Sequence, residues 1–240
     1  MKKLTLYHGS GLVVQKPDVL YGKKNNDYGQ GFYCSESAEL AREWACPREK
    51  DGILNRYCLE TDGMRVFHLK GESEEALLIW ISVLLSNRKL NLDTENARAS
   101  ARFLQSRYLM SLETADLVIG YRADDSYFDY AESFVNNGIS VEQLAMAMRL
   151  GKLGEQIVLK SKFAFSHLHY EGFENAEKDK YYILRKARNE EANQLYPRML
   201  EEESDGLYIQ DIMRGGISND DPRIPRNLSA SCPGSPWGCV

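Results

Sequence analysis

The chain has no apolar stretch long enough to cross a bilayer: its longest, Ala76 to Leu85, is ten residues with Trp80 inside it, against the roughly 20 a spanning helix needs. No membrane partner is expected. There is no Cys-x-x-Cys or Cys-x-x-His pair. The cysteines are five, an odd number, and Cys34, Cys46 and Cys58 lie twelve apart. That spacing suits neither a disulfide framework nor a zinc site, and it reads as reduced thiols in a cytoplasmic protein with no metal. Excess positive charge is also missing. Thirty basic residues against 35 acidic ones give a net charge of −5, which removes any global attraction to nucleic acid or anionic lipid. The opening Met1-Lys2-Lys3-Leu4 carries lysines, but His8, Gly9 and Ser10 interrupt any apolar h-region, so export by a signal peptide is not expected. Gly29-Gln30-Gly31 lacks the third glycine of a dinucleotide-binding Rossmann turn.

What the chain does have is enough apolar matter for a core: 43% hydrophobic residues, including 14 tyrosines and 8 phenylalanines. Lys3 to Tyr7 alternates like a strand that delivers His8-Gly9-Ser10 at its end, and Phe32-Tyr33-Cys34 reads as a second strand. Glu36 to Ala45 has helical spacing with Ser35 or Ser37 as its cap. Asp62-Gly63 predicts a tight hairpin between Arg56–Leu59 and Met64–Leu69. Helices are expected from Ser73 to about Ser86, over Thr94–Leu112, Ser126–Asn136 and Ser140–Leu150, the last with Glu142 near a capping-box position. Ala115–Gly120 and Gln156–Leu159 read as short buried strands and Phe163–Tyr170 as a half-exposed one. Lys178–Glu203 is a charged helix that Pro197 should interrupt or end. Its basic run, Lys178, Lys180, Arg185, Lys186 and Arg188, reads as a solvated face. Strands and helices do not alternate as β-α units, so the class is α+β. The expected organisation is a domain over 1–190 with a helical insertion at about 73–112, a helical extension over 191–226, and a flexible Pro/Gly/Ser tail over 227–240 holding Cys232 and Cys239.

Three segments carry chemistry. In Tyr7-His8-Gly9-Ser10 an imidazole is followed by a residue without a Cβ, which lets a side chain and bare backbone face one ligand. In Tyr28-Gly29-Gln30-Gly31-Phe32-Tyr33, followed by Trp44, glycines precede an aromatic strand, and Tyr33 and Trp44 are placed to wall a flat ring. In Gly154-Glu155-Gln156-Ile157-Val158 two polar residues open an apolar strand, so their side chains leave on opposite faces and only one can enter a given cleft.

In this order, His8-Gly9-Ser10, Gly29-Gln30-Gly31-Phe32-Tyr33, Trp44 and Glu155-Gln156-Ile157-Val158 resemble the ADP-ribosyltransferase superfamily of the His-Tyr-Glu type, shared by diphtheria-like toxins and poly(ADP-ribose) polymerases. The chain is also similar to an uncharacterised bacterial branch of that superfamily, some of whose genes sit beside toxin-antitoxin genes. The resemblance implies a split β-sandwich around an NAD cleft. It implies that His8 bonds the adenosine ribose, that Gly9 holds the nicotinamide carboxamide with Ser10 beside it, and that Tyr33 and Trp44 sandwich the nicotinamide ring. Glu155 would stabilise the cation formed as nicotinamide leaves. In the bacterial branch the alternative register gives that place to Gln156, and both residues stand as candidates. The activity implied is mono-ADP-ribosyl transfer from NAD, its substrate, to a macromolecular acceptor, protein or nucleic acid, by a bacterial toxin or conflict-system protein with a possible antitoxin partner. The rivals are an inactive NAD-binding or partner-docking module and an NAD glycohydrolase.

Overall fold

A computed structural model describes residues 2–70, 74–123, 125–150, 154–201 and 206–215. Two open sheets and eight helices make up an α+β fold. The chain runs β1 (Lys3–Ser10), β2 (Phe32–Cys34), α1 (Ala38–Ala45), β3 (Gly52–Glu60), β4 (Val66–Leu69), α2 (Glu74–Asn87), α3 (Glu95–Tyr108), β5 (Leu117–Tyr121), α4 (Asp125–Val135), α5 (Val141–Ala147), β6 (Glu155–Leu159), α6 (Lys162–Ser166), β7 (Leu168–Ala176), α7 (Lys178–Leu200) and α8 (Ile209–Arg214). One sheet has the order β1-β3-β7 and the other β2-β6-β5-β4. Among the described residues they are joined in main-chain hydrogen bonding by one isolated bridge, where Tyr7 and Ser35 exchange bonds of 2.8 and 2.9 Å.

The pleat sorts the apolar residues into two layers. Leu6, Tyr57 and Leu59 of the first sheet meet Phe32, Cys34, Leu117, Ile157 and Leu159 of the second in one cluster between the sheets. The opposite face of the second sheet, with Val118 and Val158, packs on a larger helical cluster that includes Trp80, Leu104, Tyr130, Phe134, Leu144 and Ile212. The run from Ala76 to Leu84 is therefore the centre of that helical core: α2 is buried on nearly every side, as a helix that is apolar all round must be. Within the span expected as a helical insertion, α2 and α3 supply much of the main core, and Ser82 Oγ ties them by donating to Leu104 O at 3.0 Å. Among the described residues, no helix is long and apolar enough to cross a membrane.

Several local expectations are corrected. Thr61 to Gly63 does turn, with Gly63 at φ 77°, but β3 and β4 do not pair. The chain leaves the first sheet there, and β4 runs parallel to β5 in the second, Val66 opposite Leu117. Parallel pairing with a buried strand satisfies β4 better than an exposed hairpin would. The segment Phe163–Tyr170 is half helix, because Ser161 Oγ accepts from Ala164 N at 3.1 Å and caps α6 before β7 begins. The capping box of α5 uses Gln143, not Glu142. Pro197 lies inside α7 without ending it, being within its last turn.

The helix α7 crosses the boundary expected at residue 190. Its Arg188 is not solvated: it donates to both carboxylate oxygens of Glu43 on α1, at 3.1 and 2.8 Å, and Glu43 is 2% exposed. Arg42 of α1 reaches Glu174 of β7 at 2.8 Å, and the Tyr130 ring of α4 stacks on Tyr196 of α7 at 4.3 Å. The expected tail over 227–240, with its two cysteines, lies outside the described residues, as does most of the expected extension beyond Arg214. Cys34, Cys46 and Cys58 are free thiols.

Removing one partner of a buried ion pair leaves an uncompensated charge, which typically costs about 3–5 kcal/mol; Arg188 is partly exposed, so about 2–4 kcal/mol is expected for Arg188→Leu. Replacing both partners, as Arg188→Leu with Glu43→Leu, should recover most of that loss. Urea unfolding midpoints of the single and double variants check this.

Candidate active site

The site is organised by α1. Ser37 Oγ accepts from Leu40 N at 3.3 Å and starts the helix, which lies directly on main chain. A Cβ built on Gly9 would stand 1.9 Å from Ala41 O, and one on Gly52 would stand 2.4 Å from Ala45. At the other sheet, Gly154 (φ 75°) leaves the same 2.3 Å clearance problem to Leu40. The glycine after His8 is thus required by the approach of a helix, whereas the sequence suggested the approach of a ligand.

The side of Gly9 that α1 leaves open is its backbone. Tyr7 spends its N–H and C=O on Ser35, and the alternation of an antiparallel ladder turns those of Gly9 the same way, out of the β1 edge, because Gly9 stands opposite Leu54 in a pair without mutual bonds. They meet no partner among the described residues. Beside them, His8 Nδ1 lies 2.7 Å from Tyr33 O. A carbonyl can only accept, so Nδ1 carries the proton and Nε2 is left as an acceptor. Nε2 is buried and has no hydrogen-bond partner among the described residues. The ring is held by Phe32 at 4.3 Å and by the edge of Tyr21 at 5.9 Å. Burial lowers the His8 pKa, and the bond to Tyr33 offsets this only in part, so the ring is neutral near pH 7. Ser10 Oγ donates to Leu12 O at 2.7 Å and accepts from Asn55 Nδ2 at 3.2 Å.

The pleat divides the remaining residues. Tyr33 pairs with Val158 and so shares a face with Gln156, toward the helices; Glu155 shares a face with Ile157, toward the first sheet, as does His8 with Leu6. Tyr33 Oη donates to Gly29 O at 2.6 Å and accepts from Tyr28 N at 3.1 Å. The Tyr33 hydroxyl thus ties this ring to the loop before β2. The Trp44 ring carries the guanidinium of Arg122 at 4.1 Å, within the range of a cation–π contact.

Glu155 and Gln156 differ sharply. Gln156 is 4% exposed, and its Nε2 donates to Asp27 Oδ2 at 2.7 Å and Tyr121 O at 3.2 Å. Asp27 is itself buried and also takes Arg88 Nη1 at 2.6 Å and Ala123 N at 3.0 Å. Gln156 is thus a member of a satisfied polar hub that fixes the loop before β2. Glu155 stands partly exposed at the start of β6, ion-paired with Lys70, with Tyr121 opposite it in the ladder.

Sequence reasoning missed the supporting residues. Asn55 is fully buried, its Nδ2 within 3.3 Å of His8 O, Ser10 Oγ and Leu12 O while its Oδ1 accepts from Val14 N at 2.8 Å. An asparagine inside the β-run Gly52–Glu60 was the available signal, since a buried amide must find partners. Asp27 and Arg88 gave none, lying 61 residues apart. His167 lies at the C-cap of α6 with Nδ1 at 3.0 Å from Phe163 O, and His169 is exposed on β7.

A family model described as a protein of unknown function, DUF3990, matches residues 4–170. No curated protein and no solved structure matches the chain.

Replacing Gln156 by Leu should lower stability by about 1–3 kcal/mol, the cost of orphaning buried partners, measured by thermal unfolding. The depressed pKa of His8 sets a pH effect of definite sign. The unfolded chain gains a proton near pH 6.5 that the native ring refuses, so stability is full above that pH and falls as the pH drops below it. Denaturant midpoints between pH 7 and pH 5 should fall less steeply for His8→Asn than for the unaltered protein.

Proposed function

The chain belongs to the DUF3990 family, and we propose that it is an NAD-dependent mono-ADP-ribosyltransferase whose two sheets form the split β-sandwich of that enzyme class. The observation that carries the reading is the pairing at the end of β1. A buried imidazole acceptor without a partner, His8 Nε2, stands beside a glycine whose main-chain donor and acceptor both point out of the sheet edge. An orphaned buried acceptor costs about 1–3 kcal/mol, a cost that binding of a hydroxyl removes. The two halves suit the two ends of NAD: a ribose hydroxyl for Nε2, and a carboxamide, which is one donor and one acceptor, for Gly9.

In this reading His8 orients the adenosine ribose, Gly9 clamps the nicotinamide carboxamide, and Ser10, locked by Asn55, holds the strand end rigid. The Trp44 face takes the pyridinium ring in place of the Arg122 guanidinium, one planar cation for another. The bond that breaks joins ribose C1′ to the nicotinamide nitrogen, and its electron pair leaves with nicotinamide. Positive charge then builds on the ribose, and Glu155 is the carboxylate placed to stabilise it, as in other reactions through oxocarbenium-like states. Gln156 supports the strand beneath it. The acceptor is a macromolecule, and the setting that accompanies the reading is a bacterial toxin or conflict-system protein working in the cytoplasm, checked by an antitoxin.

Glu155→Gln should leave NAD affinity nearly intact and reduce nicotinamide release by about 10²-fold or more. Release is followed with labelled NAD and affinity by calorimetry. An unaltered protein that binds NAD without turnover would make this a binding module, and one that gives no heat at millimolar NAD would sink the reading altogether.

A further inference from the structure

We propose that Lys70 is a binding group for a phosphate oxyanion of the acceptor, and that its ion pair with Glu155 is a latch which that oxyanion opens; the inference rests on the transferase reading above. The latch is a direct contact. Lys70 Nζ donates to Glu155 Oε1, and neither side chain has another hydrogen-bond or ion-pair partner among the described residues. In the second sheet β5 lies between β4 and β6, so a side chain that leaves the end of β4 reaches Glu155 only by crossing β5. Both side chains also stand well in solvent, 46% exposed for Lys70 and 38% for Glu155. A pair of this kind is screened and weak, and a phosphate, with more charge and three acceptor oxygens, is the stronger partner for an ammonium.

A second unsatisfied group stands close by. His68 lies in one row with Ile119 and Ile157 across β4, β5 and β6, and its Nε2 is buried without a hydrogen-bond partner among the described residues. With the proton on Nε2, this imidazole is a further donor for an oxyanion held by Lys70, two residues along.

The resting pair keeps Glu155 in place while cancelling the charge that the reaction uses. A carboxylate with an ammonium on it meets a developing cation as a dipole, whose field falls off faster with distance than that of a free charge. Exchange of partners restores that charge. The ammonium goes over to the phosphate, the carboxylate is left to the ribose, and no covalent bond is made or broken. The direction of approach assigns the phosphate to the acceptor. His8, which anchors NAD in this reading, touches β2 through Tyr33 O, and β2 and β4 are opposite edges of the second sheet. Lys70 thus comes to Glu155 from the edge away from the NAD anchor. A protein built in this way consumes NAD slowly until a phosphate-bearing acceptor arrives.

The test measures nicotinamide release by the full chain with NAD alone and with sodium tripolyphosphate, against sodium chloride of equal ionic strength. Tripolyphosphate should speed the unaltered protein about fivefold, the scale of losing one exposed ion pair. Lys70→Met should be faster by a similar factor with NAD alone, keep its KM for NAD and ignore tripolyphosphate, while Lys70→Arg keeps the response. Equal thermal midpoints exclude a folding defect. A Lys70→Met variant that is slower or unchanged overturns the proposal alone, the slower one making Lys70 a residue that positions Glu155. A raised KM for NAD without a tripolyphosphate response overturns it as well and gives Lys70 to the diphosphate of NAD. An unaltered protein that releases no nicotinamide sinks the transferase reading. Calorimetry with tripolyphosphate then still judges the phosphate site: heat that Lys70→Met loses supports it, and equal heat or none overturns it.

Discussion

Everything at the candidate site hangs on how closely α1 lies against bare main chain. Helix backbone meets sheet backbone at Gly9 and Gly52, and the same helix presses Leu40 against Gly154 at the head of β6. One eight-residue element thereby touches both sheets, adding to the apolar cluster between them and the Tyr7–Ser35 bridge. The distance from the His8-Gly9 strand end to the Glu155 strand end is set by this helix. Any side chain at position 9 would lift α1 and open that distance, whatever the chemistry of the residue. Rigidity at a site of this kind is what lets binding energy at one end of a substrate act at the other.

Much of this was legible in the sequence because the signals were local. Alternation placed β1 and β2, a serine three residues before a backbone amide placed the start of α1, and Thr94 and Ser140 capped α3 and α5. What was illegible was long-range pairing. Asp62-Gly63 does make a turn, and nothing local says that the strand beyond it joins Leu117–Gly120 instead of folding back. Arg188 sits in a run of charges that reads as solvated, and only Glu43, 145 residues away, turns it inward. The serine-capped turn at Ser161 was a local signal that the alternation of Phe163 and Phe165 concealed.

The candidate residues were legible as types and only partly as roles. Period-two alternation forces Glu155 and Gln156 apart, and the structure shows what lies on each side: a hub of Asp27, Arg88 and Ala123 behind Gln156, and the Lys70 ammonium beside Glu155. The same alternation puts Tyr33 on the face of Gln156, a placement invisible while β2 had no known neighbour. Buried polar hubs of this kind fix a loop only when every member is satisfied, and Asp27 meets that condition through three donors from three parts of the chain.

The join between Arg188 and Glu43 also has a meaning in time. A ribosome releases β1, β2 and α1 first, yet the strand that completes their sheet, β7, and the cation that neutralises Glu43 are encoded beyond residue 167. Until that stretch emerges, α1 carries an unmatched buried acid and has no reason to settle on Gly9. The N-terminal half therefore waits, unfinished, for the C-terminal third, because the first sheet and the ion pair of α1 both need residues beyond 167. Late closure means that no partial product of translation carries the finished fold.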